Sequence, residues 1–257
     1  MDDRLVAFRR LLDIMDQLRA GCPWDSKQTI ESLRHLTIEE TYELSEAILQ
    51  QNLEEVKKEL GDLMLHLVFY AKIGSERGAF DITDVLNGIC EKLIVRHPHI
   101  FGQDKVADAK EVSENWEKIK LHKEGNRSVL SGVPAGLPPL LKAYRMQQKT
   151  AGVGFEWNDG EEAWRKVEEE MRELREVVGN NGDKQDKTQE LGDLLFALVN
   201  YARYIDVNPD DALETTNEKF RRRFQYVEDE ARRNGTSVSD SELSQLLDWW
   251  QQAKRQE

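Results

Sequence analysis

Cysteine, uninterrupted apolar sequence and excess positive charge are all scarce in this chain, and each scarcity removes a class of protein. The two cysteines of the 257 residues, Cys22 and Cys90, have no paired spacing, so neither a disulfide framework nor a zinc site is expected. No apolar run approaches the roughly 18 residues of a spanning helix, and the mean hydropathy is −0.68, so no membrane partner is expected. From Met1 to Leu18, charges are interleaved with Leu, Val and Ile, which leaves no apolar core for a signal peptide. A cytoplasmic, soluble protein is expected. Lys plus Arg number 36 against 49 Asp plus Glu, a net charge of −13, which argues against a nucleic-acid partner. A small phosphorylated ligand remains compatible, because a metal ion and a few local cations offset the repulsion. There is no Gly-rich phosphate loop of the Walker type. No Glu stands three positions before any of the five histidines, which excludes a ferritin-like di-iron bundle.

Strict apolar–polar alternation is almost absent too, whereas apolar residues recur at three-to-four spacing nearly throughout. The pattern predicts an all-α chain with helices over 3–19, 29–49, 53–76, 82–96, 109–123, 138–150, 160–178, 186–204, 209–234 and 240–255. Asn208-Pro209 reads as an N-cap followed by proline at the first helical position, and Ser239-x-x-Glu242 as a capping box. Gly179-Asn180-Asn181-Gly182-Asp183 reads as a loop, with Gln50-Gln51-Asn52 as a weaker one at the matching place upstream. Glycines 125, 132 and 136 and prolines 134, 138 and 139 interrupt any helix between Glu124 and Pro139. A first helical module over 1–124, a linker over 125–139 and a second module over 140–257 are therefore expected.

The two sides match as an internal repeat. Glu39-Glu40-x-x-Glu43 followed by Glu59-Leu60-Gly61-Asp62 corresponds to Glu169-Glu170-x-x-Glu173 followed by Glu190-Leu191-Gly192-Asp193. Glu43 to Glu59 is 16 residues and Glu173 to Glu190 is 17. Trp24-Asp25 precedes the first set as Trp157-Asn158 precedes the second. Downstream, Lys92 and Arg96 match Lys219 and Arg223, and Trp116-x-x-x-Lys120 matches Trp250-x-x-x-Lys254.

Acids three apart lie on one helix face, so two such helices folded back on each other set four carboxylates around one point. Taken alone, a Glu-Glu-x-x-Glu run is most simply a solvated helix face. Here each Glu-x-x-Asp adjoins a strongly apolar stretch (Leu60, Leu63, Leu65, Leu67 and Val68, or Leu191, Leu194, Leu195, Leu198 and Val199), which implies largely buried helices. Buried carboxylates need partners. A hard cation, magnesium or manganese, is the partner that all-oxygen ligands suit, and it points to phosphate chemistry. Lys219, Arg222 and Arg223 share a helix face by spacing and suit a polyphosphate, although a solvated basic face is an equal reading. Trp24, Trp157 and Trp250 suit stacking on a nucleobase or plain core packing. Adjacent Trp249 and Trp250 point in different directions, so at most one lines a site. His97 and His99 read as turn residues rather than phosphate contacts.

These residues resemble the MazG family of nucleoside triphosphate pyrophosphohydrolases in its tandem two-domain form. The similarity extends over Cys22-Pro23-Trp24-Asp25, both acidic sets, Arg96-His97-Pro98-His99, Trp116-Glu117-x-x-Lys120, Ser128 to Pro134, Gly154-Phe155-Glu156-Trp157 and Lys219-Phe220-x-x-Arg223-Phe224. The acidic motif by itself is shared with dimeric dUTPases and phosphoribosyl-ATP pyrophosphohydrolases. The resemblance implies an all-α NTP pyrophosphatase fold, a homodimer, and magnesium-dependent cleavage of nucleoside triphosphates to monophosphate and pyrophosphate, with the second module as main catalyst. It implies Glu170, Glu173, Glu190 and Asp193 as metal ligands, with Glu40, Glu43, Glu59 and Asp62 at the matching first-module positions. Glu169, like Glu39, is a candidate to orient water, which makes Glu169, Glu170, Glu173, Glu190 and Asp193 the catalytic set. Lys219, Arg222 and Arg223 would hold phosphates, Trp250 the nucleotide, and Lys166, Lys187 and Gln189 its surroundings. A narrow dUTPase-like hydrolase and a non-catalytic nucleotide-sensing module are the alternatives.

Overall fold

The computed structural model describes residues 2–102, 112 and 128–256, and among them every regular element is helical. The helices are α1 (Asp3–Gly21), α2 (Ile30–Leu49), α3 (Leu53–Glu76), α4 (Ile82–Arg96), α5 (Pro98–Phe101), α6 (Pro139–Ala151), α7 (Gly160–Gly179), α8 (Lys184–Tyr204), α9 (Pro209–Arg233) and α10 (Leu243–Arg255), with a 3-10 turn at Asp25–Lys27. The all-α expectation holds, and most ends fall within two residues of the spacing. The expected helix over 109–123, with Trp116 and Lys120, lies outside the described residues apart from Val112. The chain divides into two compact units, 1–105 and 106–257, so the described part of the Gly/Pro-rich stretch belongs with the second. No helix among the described residues is long and apolar enough to cross a membrane.

Each unit is built around an antiparallel helix hairpin, α2–α3 in the first and α7–α8 in the second. The two hairpins turn by the same device. Gln51 (φ 55°) and Asn181 (φ 54°) take the left-handed conformation just past the helix ends. In each, two backbone bonds then close the helix: Gln51 N donates to Ile48 O and Asn52 N to Ala47 O, while Asn181 N donates to Val178 O and Gly182 N to Val177 O. This double bond satisfies carbonyls that a helix end otherwise leaves open. At Gly182 a Cβ would lie 2.6 Å from Val177 Cγ1 and 3.0 Å from its carbonyl oxygen, a close approach that favours glycine there. The next helix starts on a side-chain cap, Asn52 accepting from Glu55 N and Asp183 from Asp186 N. The weaker turn signal at 50–52 thus has the same geometry as the Gly-rich one.

In the first unit α1 lies against α3, and Met15, Leu33, Val68, Phe69 and Ile73 form the core. Arg19 ties the segment between α1 and α2 to this core: its guanidinium donates to the carbonyls of Asp25 and Gln28 and pairs with Glu76. In the second unit α6 packs on both α8 and α9, and α9 packs on α10 around Val227, Ala231 and Trp249.

Two expectations are corrected. Ser239-x-x-Glu242 is no capping box: α10 begins at Leu243 with Glu242 as its N-cap and no side-chain cap bond. Ser237 and Ser241 instead bond within the preceding turn, Ser237 Oγ to Asp240 and Ser241 Oγ to the Ser237 carbonyl, and that local competition holds the chain out of the helix. Nor are the apolar stretches of α3 and α8 largely buried. Leu60, Met64 and Leu67, and likewise Leu191, Leu195 and Leu198, are exposed, while Val68, Phe69, Ala197 and Val199 are buried. A two-helix hairpin covers one face of each helix, and the remaining apolar face stays open.

Leu33 is completely buried in the first core. Leu33→Ala should destabilise that unit by about 2–5 kcal/mol, read as an earlier unfolding midpoint in urea. A change under about 1 kcal/mol would mean that this core does not carry the unit.

Candidate functional site

The second-unit acids owe their convergence to register. On α7, whose start is capped by Asp159 accepting from Glu162 N, the buried stripe runs Ala163, Val167, Glu170. A carboxylate thus falls where the helix spacing calls for an apolar residue, and Glu170 is only 6% exposed. Across the hairpin, α8 presents Glu190 and Asp193. Carboxylate oxygens of Glu170, Glu190 and Asp193 lie within 4.8 Å of one another, as do those of Glu169, Glu170 and Glu173. Glu170 belongs to both groups, so all five acids expected to be catalytic meet around it.

The charge is balanced in part by Lys166. Its Nζ stands 2.6 Å from Glu169 and 2.7 Å from Glu170, one helical turn before them. Hydrogen bonds to Glu169 and then Glu170 push the Lys166 ammonium above its usual range, and the same contact holds Glu169 below the usual carboxylate range. Glu190 has no such partner. Loss of hydration first, then the charges of Glu173, Asp193, Glu170 and Asp186, push it upward.

The first unit repeats the arrangement with Glu40, Glu59 and Asp62, whose oxygens also lie within 4.8 Å. Glu43, the fourth expected acid, is exposed and stands outside that group. Glu59 is 3% exposed; its Oε1 accepts from Lys58 at 2.9 Å and its Oε2 has no protein partner. Burial, Asp62 and Glu43 raise the Glu40 carboxyl, with hydrogen bonding to Glu59 adding to the effect. An orphaned, buried carboxylate oxygen among converging hard-oxygen donors fits a divalent cation of the magnesium or manganese type.

Beside the second acidic group lies a cavity of about 530 Å³. Lys166, Glu170 and Asp193 border it, together with Phe155, Trp157 and Phe196 and the polar side chains of Gln147 and Asn200. The segment carrying Phe155 and Trp157 is pinned to the end of α8: Arg203 pairs with Glu156 at 3.1 Å, and Tyr204 Oη donates to the Trp157 carbonyl at 2.7 Å. Gln147 and Asn200 escaped sequence reasoning, since single amides in helices carry no motif. Gly154-Phe155-Glu156-Trp157 was visible as a family-like motif, and Trp157 also as a candidate for stacking on a nucleobase.

The expected substrate residues are less concentrated. Lys187 and Gln189 sit on the first turns of α8, with Gln189 bordering a shallow depression beside Lys184, Gln185 and Thr188. Lys219, Arg222 and Arg223 lie on α9, whose main packing partners are α6 and α10 rather than the acidic hairpin. Arg223 stands 5.8 Å over the Trp250 ring, and Phe220 packs on the same ring at 5.2 Å. Of the tryptophan pair, Trp249 is buried in the core and Trp250 half-buried, as their adjacency requires. Trp24 is exposed. His97 Nδ1 lies against the Leu93 carbonyl at a helix end.

The raised Glu190 carboxyl has a measurable consequence. Its folded-state pKa lies above the unfolded value, so its ionised form costs stability above the folded pKa. That cost fades as pH falls through the folded pKa toward the unfolded one. Glu190→Gln should therefore raise the metal-free melting temperature at pH 7, by an amount that shrinks as pH drops through the raised carboxylate range. Equal melting temperatures at pH 7 would show that the acids do not repel.

A model of the MazG nucleotide pyrophosphohydrolase domain matches residues 28–101 and again 159–227, one match on each hairpin. The chain is 40% identical over 258 residues to the nucleoside triphosphate pyrophosphohydrolase/pyrophosphatase MazG of Thermotoga maritima, covering 99% of this chain and 98% of that one. It is 39% identical over 258 residues to the nucleoside triphosphate pyrophosphohydrolase of Escherichia coli K12, with 96% and 97% covered. YabN of Bacillus subtilis, an uncharacterised protein, is 44% identical over 254 residues, which are 97% of this chain but 52% of YabN. Matched twice by the domain and end to end by such relatives, the chain belongs to the MazG family, in its tandem form.

Proposed function

We propose that the chain hydrolyses nucleoside triphosphates, ribo- and deoxyribo-, to nucleoside monophosphate and pyrophosphate, with little preference among the natural bases. The observation that carries this reading is the five-acid group around Glu170 opening onto an aromatic-walled cavity of about 530 Å³, a size typical of small-molecule sites. The names of the Thermotoga and Escherichia relatives support the same activity. The dUTPase-like and non-catalytic readings have no observation of their own in the second unit.

Glu170, Glu173, Glu190 and Asp193 would hold magnesium, with manganese as a substitute. Bound there, the ion would offset the carboxylate charge and polarise phosphate oxygens. Glu169, which Lys166 favours in its ionised form, would accept a proton from an attacking water. Lys166 itself is a cation within reach of both acids and cavity, suited to follow the phosphates as they enter. Lys219, Arg222 and Arg223 would hold a polyphosphate from α9 or from the same helix of a second copy. We place the protein in the cytoplasm with its nucleotide substrates.

The second unit is the better catalyst on packing grounds. Counting from Asp62 and Asp193, His66 and Phe69 of the first unit stand where the second has Ala197 and Asn200. His66 and Phe69 are buried and fill that face, whereas Ala197 and Asn200 border the cavity. In the full chain, Asp193→Ala and Glu173→Ala should lower NTP turnover at least about a hundredfold while leaving the helical spectrum intact, and Glu43→Ala should cost far less. Equal loss from Glu43→Ala and Glu173→Ala would overturn the division of labour. Release of orthophosphate and nucleoside diphosphate, in place of pyrophosphate and monophosphate, from ATP, dATP, GTP and UTP would sink the reaction itself.

A homodimer fits the open apolar faces of both hairpins. Leu191, Leu195 and Leu198 recur on α8 at a spacing that suits a helix from a second copy. Leu191→Glu with Leu195→Glu should turn a dimer into a monomer in light scattering; a wild-type chain that is monomeric at all concentrations would exclude this assembly.

A further inference from the structure

Gln147 is a buried amide whose two ends are treated differently. It sits on α6, is 6% exposed, and its Nε2 donates to the Phe196 carbonyl of α8 at 2.8 Å. A carbonyl can only accept, so this bond settles which end of the amide is nitrogen. The remaining oxygen, Oε1, is buried and has no hydrogen-bond partner. An acceptor left in this condition is costly to keep unless something else supplies a donor.

The place of Gln147 shows where a donor would come from. Its side chain borders the cavity that also touches Lys166, Glu170 and Asp193. Asp193, Phe196, Ala197 and Asn200 all border that cavity and follow one another along one face of α8. From Asp193 to Asn200 this face runs about 10 Å, at roughly 1.5 Å per residue. The acids stand at its N-terminal end, and Phe196, to which Gln147 is anchored, stands about one turn further along. Phe155, Trp157 and Phe196 supply flat apolar surface between them. Along that length a nucleotide with its phosphates at the acids has room to extend its base, past the ribose, between these aromatics and Gln147.

We propose that this cavity is the nucleobase site and that Gln147 Oε1 accepts a hydrogen bond from an N–H on the edge of the base. The inference rests on the NTP reading above and adds the element that reads the base. Adenine and cytosine offer an exocyclic amine, while guanine and uracil offer a ring N–H. A single acceptor therefore admits all four and penalises a base that has lost its donor. Gln147 is then a specificity residue, and breadth among natural bases follows from what it asks for.

The test is a cycle of substrate against side chain in the full-length protein with magnesium, reading pyrophosphate release. ATP is compared with purine riboside triphosphate, which lacks only the 6-amino group, and UTP with N3-methyl-UTP. In the wild type each donor-less analogue should show kcat/KM lower by about tenfold or more, most of it in KM. Gln147→Met, similar in shape but without an acceptor, should narrow both gaps to within about threefold. Analogues handled as well as their parents by the wild type, or gaps that survive unchanged in Gln147→Met, would overturn the proposal while leaving the NTP reading standing. Failure of the wild type to release pyrophosphate from any triphosphate would overturn both. Should Gln147→Met not fold, the wild-type comparison of each analogue with its parent decides alone.

Discussion

Everything around the second site depends on one placement, a carboxylate on the buried stripe of a helix. Glu170 follows Ala163 and Val167 into the interior of the α7–α8 hairpin, where an isolated charge is not tolerated. The surrounding features answer that cost. Lys166 reaches forward one turn to Glu170 and Glu169, and lost hydration with the neighbouring charges pushes the Glu190 carboxyl above its usual range. The like charges that make the group unfavourable when empty are the same oxygen donors that suit a hard cation.

The duplication shows how one scaffold is finished in two ways. Both hairpins share the left-handed turn residue, the paired closing bonds and the side-chain cap, and both bring three acids within coordinating distance. They part at the residues one and two turns beyond the Asp. Bulky His66 and Phe69 complete a packed face in the first unit. Ala197 and Asn200 leave space in the second, and the pinned Phe155–Trp157 segment walls it. Two side-chain volumes therefore separate a filled face in the first unit from one with room for a ligand in the second.

The repeat, the all-α class and the five acids around Glu170 were legible because they rest on short-range regularities. Glu-Glu-x-x-Glu and Glu-x-x-Asp share faces whatever the helix packs against, and Asn208-Pro209 starts α9 as its local chemistry requires. Failures came where a local signal met a competitor. Ser239-x-x-Glu242 lost to hydrogen bonds within the preceding turn. The apolar stretches of α3 and α8 pointed to largely buried helices, yet periodicity reports that a face is apolar, not whether one chain suffices to cover it. Glu43 matched the motif and still stands outside the close group of the first unit.

The sequence by itself determined the helices, their pairing into two acidic hairpins and the chemistry of the donor set, because helical spacing converts residue order directly into shared faces. Only the tertiary structure decided that Gln147 would sit on the cavity wall with a buried, unpaired oxygen, and that the cavity would open along α8. Those outcomes depend on which helices meet. The Gln147 bond to the Phe196 carbonyl joins residues 49 positions apart, and no local pattern encodes a contact of that range.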